Sequence, residues 1–337
     1  MRIVRYDPAD EAAARGCYEM YRAAQEADEP FGMPLTARVL RFWLAETWTS
    51  DPVETWYVPG EAPGTWAAMA RLELPDLENR HRAGLTLTVH PGRRRAGIGT
   101  ALLRHAAERA AEHGRTVLTG HVPRGSAGEA FARRAGATEG IEEVRRQHDL
   151  RATPDGLLAS LRETAEKAAE GYSLVTWTGP VPAERLEQLA GVFNALNDAP
   201  HDASREDDHW DGARVRDRWN RRVTRLACHD YALAAVHEAT GEMAAVTQVA
   251  VDPDTPEWGA QLLTAVTGPH RGHRLGLLTK VAMAQWLLEA EPGLRRIETW
   301  NAASNRHMIA VNEQLGYEVA GPVSVSVELP VESVVKS

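Results

Sequence analysis

Two stretches of this chain carry the same strand–turn–helix junction. Val89-His90-Pro91-Gly92-Arg93-Arg94-Arg95-Ala96-Gly97-Ile98-Gly99 is echoed by Val266-Thr267-Gly268-Pro269-His270-Arg271-Gly272-His273-Arg274-Leu275-Gly276. The landmarks around them recur in the same order. Asp28-Glu29-Pro30 corresponds to Asp198-Ala199-Pro200, and Arg134-Ala135-Gly136-Ala137 to Gln314-Leu315-Gly316-Tyr317. The offset is roughly 170–180 residues, far beyond the period of a solenoid. A chain of 337 residues is also about the right length for two ordinary domains. The duplication therefore predicts two copies of one domain, over 1–150 and 172–337, with a helical linker over 151–171 opened by Thr153-Pro154-Asp155.

Each half reads as the same string of elements. A strand (Ile3–Tyr6; Ser173–Trp177) leads into two helices, Ala9–Ala27 with Thr36–Trp48, and Ala183–Leu196 with Asp211–Arg222. Three strands follow, at Thr55–Val58, Thr65–Leu72 and Leu85–Val89, and at Tyr231–Val236, Met243–Val251 and Gln261–Val266. Then come a long helix (Gly97–His113; Leu275–Glu291), a strand (Thr116–His121; Arg296–Trp300), a short helix and a closing strand. Ser304 is expected to cap the last short helix, and Gly316 to end it in a left-handed conformation. The fold class is α/β (α+β).

Charge and composition narrow the function. The formal net charge is −9, which argues against wrapping nucleic acid or an anionic membrane, while leaving room for a local anion site. No run approaches the roughly 20 apolar residues of a membrane span, and Met1–Asp10 does not resemble a secretion signal. Cys17 and Cys228 stand outside any Cys-x-x-Cys context and fit idle thiols in a reducing cytoplasm. The histidines form no zinc spacing; His270 and His273 flank the turn and need no metal.

The two junctions carry the chemistry. A turn entering a long helix leaves backbone N–H groups without intrahelical partners and aims the positive helix end at the solvent. A diphosphate suits that place, glycine lets its oxygens approach closely, and arginine adds charge-assisted bonds. Neither a Walker-type loop nor a Gly-x-Gly-x-x-Gly fingerprint is present. Without a ligand, Arg93–Arg95 and Arg271–Arg274 would be solvated helix caps; their recurrence at one structural place argues otherwise.

Both turns resemble the acyl-CoA-binding motif of the GNAT superfamily of N-acetyltransferases, [Arg/Gln]-x-x-Gly-x-[Gly/Ala] after a strand. Arg94-Arg95-Ala96-Gly97-Ile98-Gly99 fits it fully; in Arg271-Gly272-His273-Arg274-Leu275-Gly276, Arg274 replaces the first signature glycine. With the flanking elements the resemblance covers nearly all of each half. It implies tandem GNAT-like domains, each a mixed, mostly antiparallel twisted sheet flanked by helices. It also implies acetyl-CoA as co-substrate, without a metal, bound through Val89, Arg94–Gly99 and Thr100 in one half and Val266, Arg271–Gly276, Asn301 and Asn305 in the other.

The resemblance further implies that an Asn on the last short helix holds the pantetheine arm and a Tyr protonates the departing thiolate. Counted back from Gly316, these positions are Asn305 and Asn312; in the first half they are Gly125 and Ala132. The second half is thus expected to be catalytic and the first degenerate. A thiol with a pKa of about 8.5 leaves fairly well unaided, whereas an amine with a pKa of about 10.4 must first lose a proton. Glu257 and Gln261 are the nearest candidates to assist, with Glu298 behind them and Asn312 at the Tyr position. The oxyanion is expected near Ala265–Thr267, on a bulged strand. The acceptor is expected beside Asn197, Asp198, His201 and Asp202, with Trp210 as a wall; ordinary loop chemistry is the plain alternative for each.

The function implied is a cytoplasmic acetyl-CoA-dependent transferase acting on a small-molecule amine, as a monomer or homodimer, with neither nucleic acid nor membrane as partner. Two alternatives remain: a peptide or protein acceptor, and a non-catalytic acyl-CoA sensor or scaffold.

Overall fold

A computed structural model describes residues 1–47 and 49–336. The expected helix end at Trp48, like Ser337 at the end of the expected second domain, lies outside the described residues.

The chain runs through β1 (Val4–Arg5), α1 (Glu11–Asp28), α2 (Ala37–Ala45), β2 (Val53–Pro59), β3 (Trp66–Glu73), β4 (Arg82–Val89), α3 (Ile98–Glu112), β5 (Val117–Pro123), α4 (Ala127–Arg134) and β6 (Thr138–Asp149). It continues with α5 (Leu157–Ala168), β7 (Tyr172–Thr178), α6 (Leu186–Asn194), α7 (Gly212–Arg214), a π-turn (Val215–Trp219), α8 (Asn220–Leu226), β8 (His229–His237), β9 (Met243–Val251) and β10 (Trp258–Val266). The last elements are α9 (Leu275–Ala290), β11 (Arg296–Ala302), α10 (Arg306–Gln314), β12 (Glu318–Val319), β13 (Ser324–Pro330) and α11 (Val331–Val335). The expected order of elements is therefore present in both halves, with ends moved by a few residues.

The division into units differs from the expected one. The first unit comprises Met1–Glu143, Asp202–Glu206 and Gly321–Ser337; the second comprises Val144–His201 and Asp207–Ala320. Within the first, the strand order is β1–β2–β3–β4–β5–β13–β6, so the chain's closing strand completes the sheet of the first half. β13 pairs antiparallel with β5 from Ser324↔Pro123 to Pro330↔Val117, and with β6 from Ser324↔Glu143 to Glu328↔Thr138. Val325 and Leu329 are buried there, and α11 adds Val331 and Val334 to the core under α3.

In the second unit the order is β6–β11–β10–β9–β8–β7, with β12 beside β6. All nine residues of β9 are buried, so it shows no alternation of exposure. The helix α9 is apolar nearly all round, and such a helix must be covered on its outer side as well. α5 supplies the cover: Leu158, Ala165 and Ala169 join the core of Leu275, Leu278 and Val281, and Arg162 donates to the Gln285 side chain at 3.1 Å. The expected linker is thus part of the second unit's core. It begins behind a left-handed Gly156 (φ 78°), while the Thr153 hydroxyl pairs with the His148 ring at 2.8 Å instead of capping the helix.

Candidate active site

In each unit two parallel strands start side by side and then part. In the first unit Arg82, Ala83 and Gly84 of β4 pair with Val117, Leu118 and Thr119 of β5. In the second, Trp258, Gly259 and Ala260 of β10 pair with Arg296, Ile297 and Glu298 of β11. Beyond these short ladders β4 and β10 each stay paired to their antiparallel neighbour up to Val89 and Val266. The arginine turn follows each of them directly.

The two turns use the same backbone with the glycines exchanged. Arg95 (φ 67°) and Gly97 (φ 78°) are left-handed in the first; Gly272 (φ 90°) and Arg274 (φ 53°) occupy the corresponding places in the second. Each turn therefore holds one glycine and one strained arginine, and Arg274 keeps the conformation of the glycine it replaces. A Cβ at Gly97 would meet nothing within 4 Å, so a side chain at that place does not crowd the turn. Neither Gly97 nor Arg274 caps its helix through a side chain, which leaves the first N–H groups of α3 and α9 to a ligand.

An ion pair is also repeated. Arg94 makes a bidentate contact to Asp28 (2.8 and 2.5 Å) and donates to the Val89 carbonyl at 3.2 Å. Arg271 donates to Asp198 at 2.6 Å. Asp198, expected to meet the acceptor, instead holds an arginine of the turn.

In the first unit the parting strands open into a cleft of about 960 Å³. Of the residues expected to bind the co-substrate, Val89, Arg94, Arg95, Gly97, Ile98, Gly99 and Thr100 line it and Ala96 does not. Leu85, Leu103, Leu118 and Ala137 also line it, as does Glu73. The Glu73 carboxylate is paired with Arg71, a fully buried side chain that also donates to the Trp43 and Glu46 carbonyls.

The second unit has polar groups in the corresponding interior. A bulge between Gln261 and Leu263 interrupts the β9–β10 register, upstream of the Ala265–Thr267 stretch where it was expected; β4 runs against β3 without one. Gln261 holds the bulge: its Nε2 donates to Thr247 Oγ1 and to the carbonyls of Gln248 and Leu263 at 2.7–3.0 Å. Its Oε1 accepts from Lys280 at 3.2 Å. The Lys280 ammonium lies 4.4 Å from the Tyr317 ring centroid, and burial pushes its pKa down to about 7. His148 packs on Tyr317 with ring centroids 5.0 Å apart. Burial, with Lys280 nearby, pushes its pKa to about 4.

Asn312 is fully buried and donates to Asn301 at 2.7 Å, while its own Oδ1 has no partner among the described residues. Asn305, and not Ser304, caps α10, its side chain accepting from the Met308 N–H at 3.2 Å. Gly316 is left-handed as expected (φ 86°).

Several expected site residues are elsewhere. Glu257 is exposed before β10, at the end of the strand remote from the turn, where its carbonyl accepts from Arg295 and Arg296. A carboxylate at the base of a parallel ladder does not reach chemistry at its splayed end. Glu298 closes that ladder and accepts from Gln147 at 2.8 Å. Asn197 ties its own loop, exchanging hydrogen bonds with the Asp208 backbone at 2.8 and 3.1 Å. Trp210 packs edge-on to Phe193 and under Arg214. His201 lies 3.9 Å from Asp207. Asp202 is not beside an acceptor in the second unit: it belongs to the first, accepting from Ser326 Oγ at 2.7 Å and the Ile141 N–H at 3.2 Å. The residues that sequence reasoning missed are Glu73, Lys280, His148 and Tyr317. Lys280 had a signal, a single cation inside the apolar run from Leu275 to Leu288. Among the described residues no group of three or more His, Cys, Asp or Glu side chains could hold a metal ion, and no helix is long and apolar enough to cross a membrane.

Splayed parallel strands feeding an arginine turn and an uncapped helix thus occur once in each unit. The profile of the Acetyltransferase (GNAT) family matches residues 14–136, which lie in the first unit. Over 98% of both chains this protein's structure is similar to a tandem GNAT protein from the clavulanic acid biosynthesis pathway, solved without AcCoA, with a TM-score of 0.77 and 29% identity. A GCN5-related N-acetyltransferase from Sphaerobacter thermophilus shares the fold at 19% identity and a TM-score of 0.66, over 98% of this chain and 95% of that one. No curated protein sequence matches the chain.

Proposed function

We propose that this protein transfers an acetyl group from acetyl-CoA to the amine of a small molecule in the cytoplasm, and that the second unit performs the reaction. The observation that carries this reading is the buried hydrogen bond from Asn312 to Asn301, which gives the second unit a polar interior where the first has Ala132 at the position of Asn312. The bulge at Gln261–Leu263 supports the same assignment, because a bulge releases a backbone N–H from the ladder to face a thioester oxygen. In this reading the N–H groups at the start of α9, with Arg271, hold the diphosphate. The incoming amine attacks the thioester carbonyl directly and gives up its proton, and the C–S bond breaks to release CoA as its thiolate. Lys280, one hydrogen bond behind Gln261, is the group there able to take up a proton near neutral pH. Similarity to a tandem GNAT protein from the clavulanic acid biosynthesis pathway favours a small-molecule acceptor over a peptide.

A second reading puts the reaction in the first unit, where the cleft is open and Glu73 lines it. Free-thiol release from acetyl-CoA over a panel of amines tests both. With the second unit catalytic, Arg271→Ala abolishes acceptor-dependent release and Arg94→Ala leaves most of it. The opposite pattern establishes the first unit as the catalyst, and no acceptor-dependent release from the wild type defeats the enzyme reading.

A further inference from the structure

The floor of the first unit's cleft is apolar at each place where the second unit is polar. Four residues after the last glycine of the turn stand Leu103 in one and Lys280 in the other; after the closing glycine stand Ala137 and Tyr317. On the splaying strand, three residues after the first parallel pair, Leu85 corresponds to Gln261. In the second unit these side chains fill their own interior through the Gln261–Lys280 bond and the Lys280–Tyr317 contact. In the first, smaller or apolar groups leave the space open, and Leu103, Leu118 and Leu329 line it.

We infer that the first unit binds acyl-CoA carrying a medium-length aliphatic acyl chain, with the chain on this leucine floor and the diphosphate at the Arg93–Arg95 turn. The inference rests on the acyl-CoA reading of that turn and adds the class of acyl group. Leu103, Leu118 and Leu329 are themselves buried, but an acetyl methyl would leave the half-exposed Leu85, Leu87 and Ala137 of the same lining facing water, whereas a longer chain covers them. Charge and apolar surface are continuous along one cleft, so the occupant is a single molecule with an anionic head and an aliphatic tail. Each methylene withdrawn from water is worth roughly a fourfold gain in affinity, so six additional carbons give at least about tenfold even when burial is partial.

Calorimetry on the full chain bearing Arg271→Ala, which disables the turn of the second unit, tests this with CoA, acetyl-CoA, hexanoyl-CoA, octanoyl-CoA and free octanoate. The expected result is tightening with chain length, octanoyl-CoA binding at least about tenfold better than acetyl-CoA and octanoate alone binding weakly. Ala137→Phe, which adds a ring to the cleft lining away from the arginine turn, removes the preference while leaving CoA affinity in place. Leu85→Gln, which changes polarity with little change of volume, reduces it independently. Equal affinity for acetyl- and octanoyl-CoA, a preference surviving both substitutions, or octanoate binding as well as octanoyl-CoA overturns the inference. If CoA binds without a chain preference, only the acyl class is wrong. If CoA itself fails to bind, the acyl-CoA reading of the first turn falls with it.

Discussion

Replacing Lys280 by methionine should make the protein more stable at neutral pH. The ammonium is buried, and its pKa falls from an ordinary 10.5 to about 7 because the interior disfavours the charge. That shift corresponds to an upper bound of roughly 5 kcal/mol. Contact with the Tyr317 ring and the hydrogen bond to Gln261 offset part of it, by about 1–2 kcal/mol and about 1 kcal/mol. Methionine fills nearly the same volume. Lys280→Met should therefore gain about 2–3 kcal/mol at pH 7. The folded state binds fewer protons at Lys280 than the unfolded state between pH 7 and 10.5, so the wild type gains stability as pH rises through that window. The advantage of the variant shrinks accordingly, by up to about 1.4 kcal/mol per pH unit. Urea denaturation of both proteins at pH 7, 8, 9 and 10 measures the gap. A gap that does not change with pH, or a variant less stable at pH 7, would refute the reasoning.

The same interior should be sensitive to acid. The folded pKa of His148 is about 4, below its ordinary 6.5, so stability is complete above pH 6.5 and falls by roughly 3 kcal/mol as pH drops to 4. His148→Gln should flatten that part of the denaturation profile, and an unchanged slope would assign the acid sensitivity to other groups. Asp198→Asn frees Arg271 from its exposed ion pair and should tighten CoA binding in an Arg94→Ala background by no more than about fivefold, read by calorimetry. Weaker binding would show that Asp198 positions the arginine and does not compete for it. Gly16→Ala pushes a methyl group from α1 into the Gly64 carbonyl oxygen, and thermal unfolding should show a loss of about 1–3 kcal/mol. An unaffected midpoint would mean that this loop yields at no cost.

The duplication, the order of elements and the two arginine turns were legible in the amino-acid sequence because they are local. A strand, a turn and a helix start depend on neighbours within a few residues, and Gly316 announces its helix end in the same way. What tertiary structure decided is everything that depends on partners far along the chain. β13 reads as an ordinary alternating strand, and nothing in its own residues says that it pairs with Val117–Pro123 and not with the half that precedes it. Asp202 has the chemistry of an acceptor site, yet its hydrogen bonds to Ser326 and Ile141 assign it to the first unit. Glu257 has the right chemistry at the wrong end of a ladder, a distinction that strand register alone makes. Polarity at the base of each splay is likewise a three-dimensional property. Leu85, Leu103 and Ala137, or Gln261, Lys280 and Tyr317, are scattered in sequence and meet only when strand, helix and closing turn are folded together.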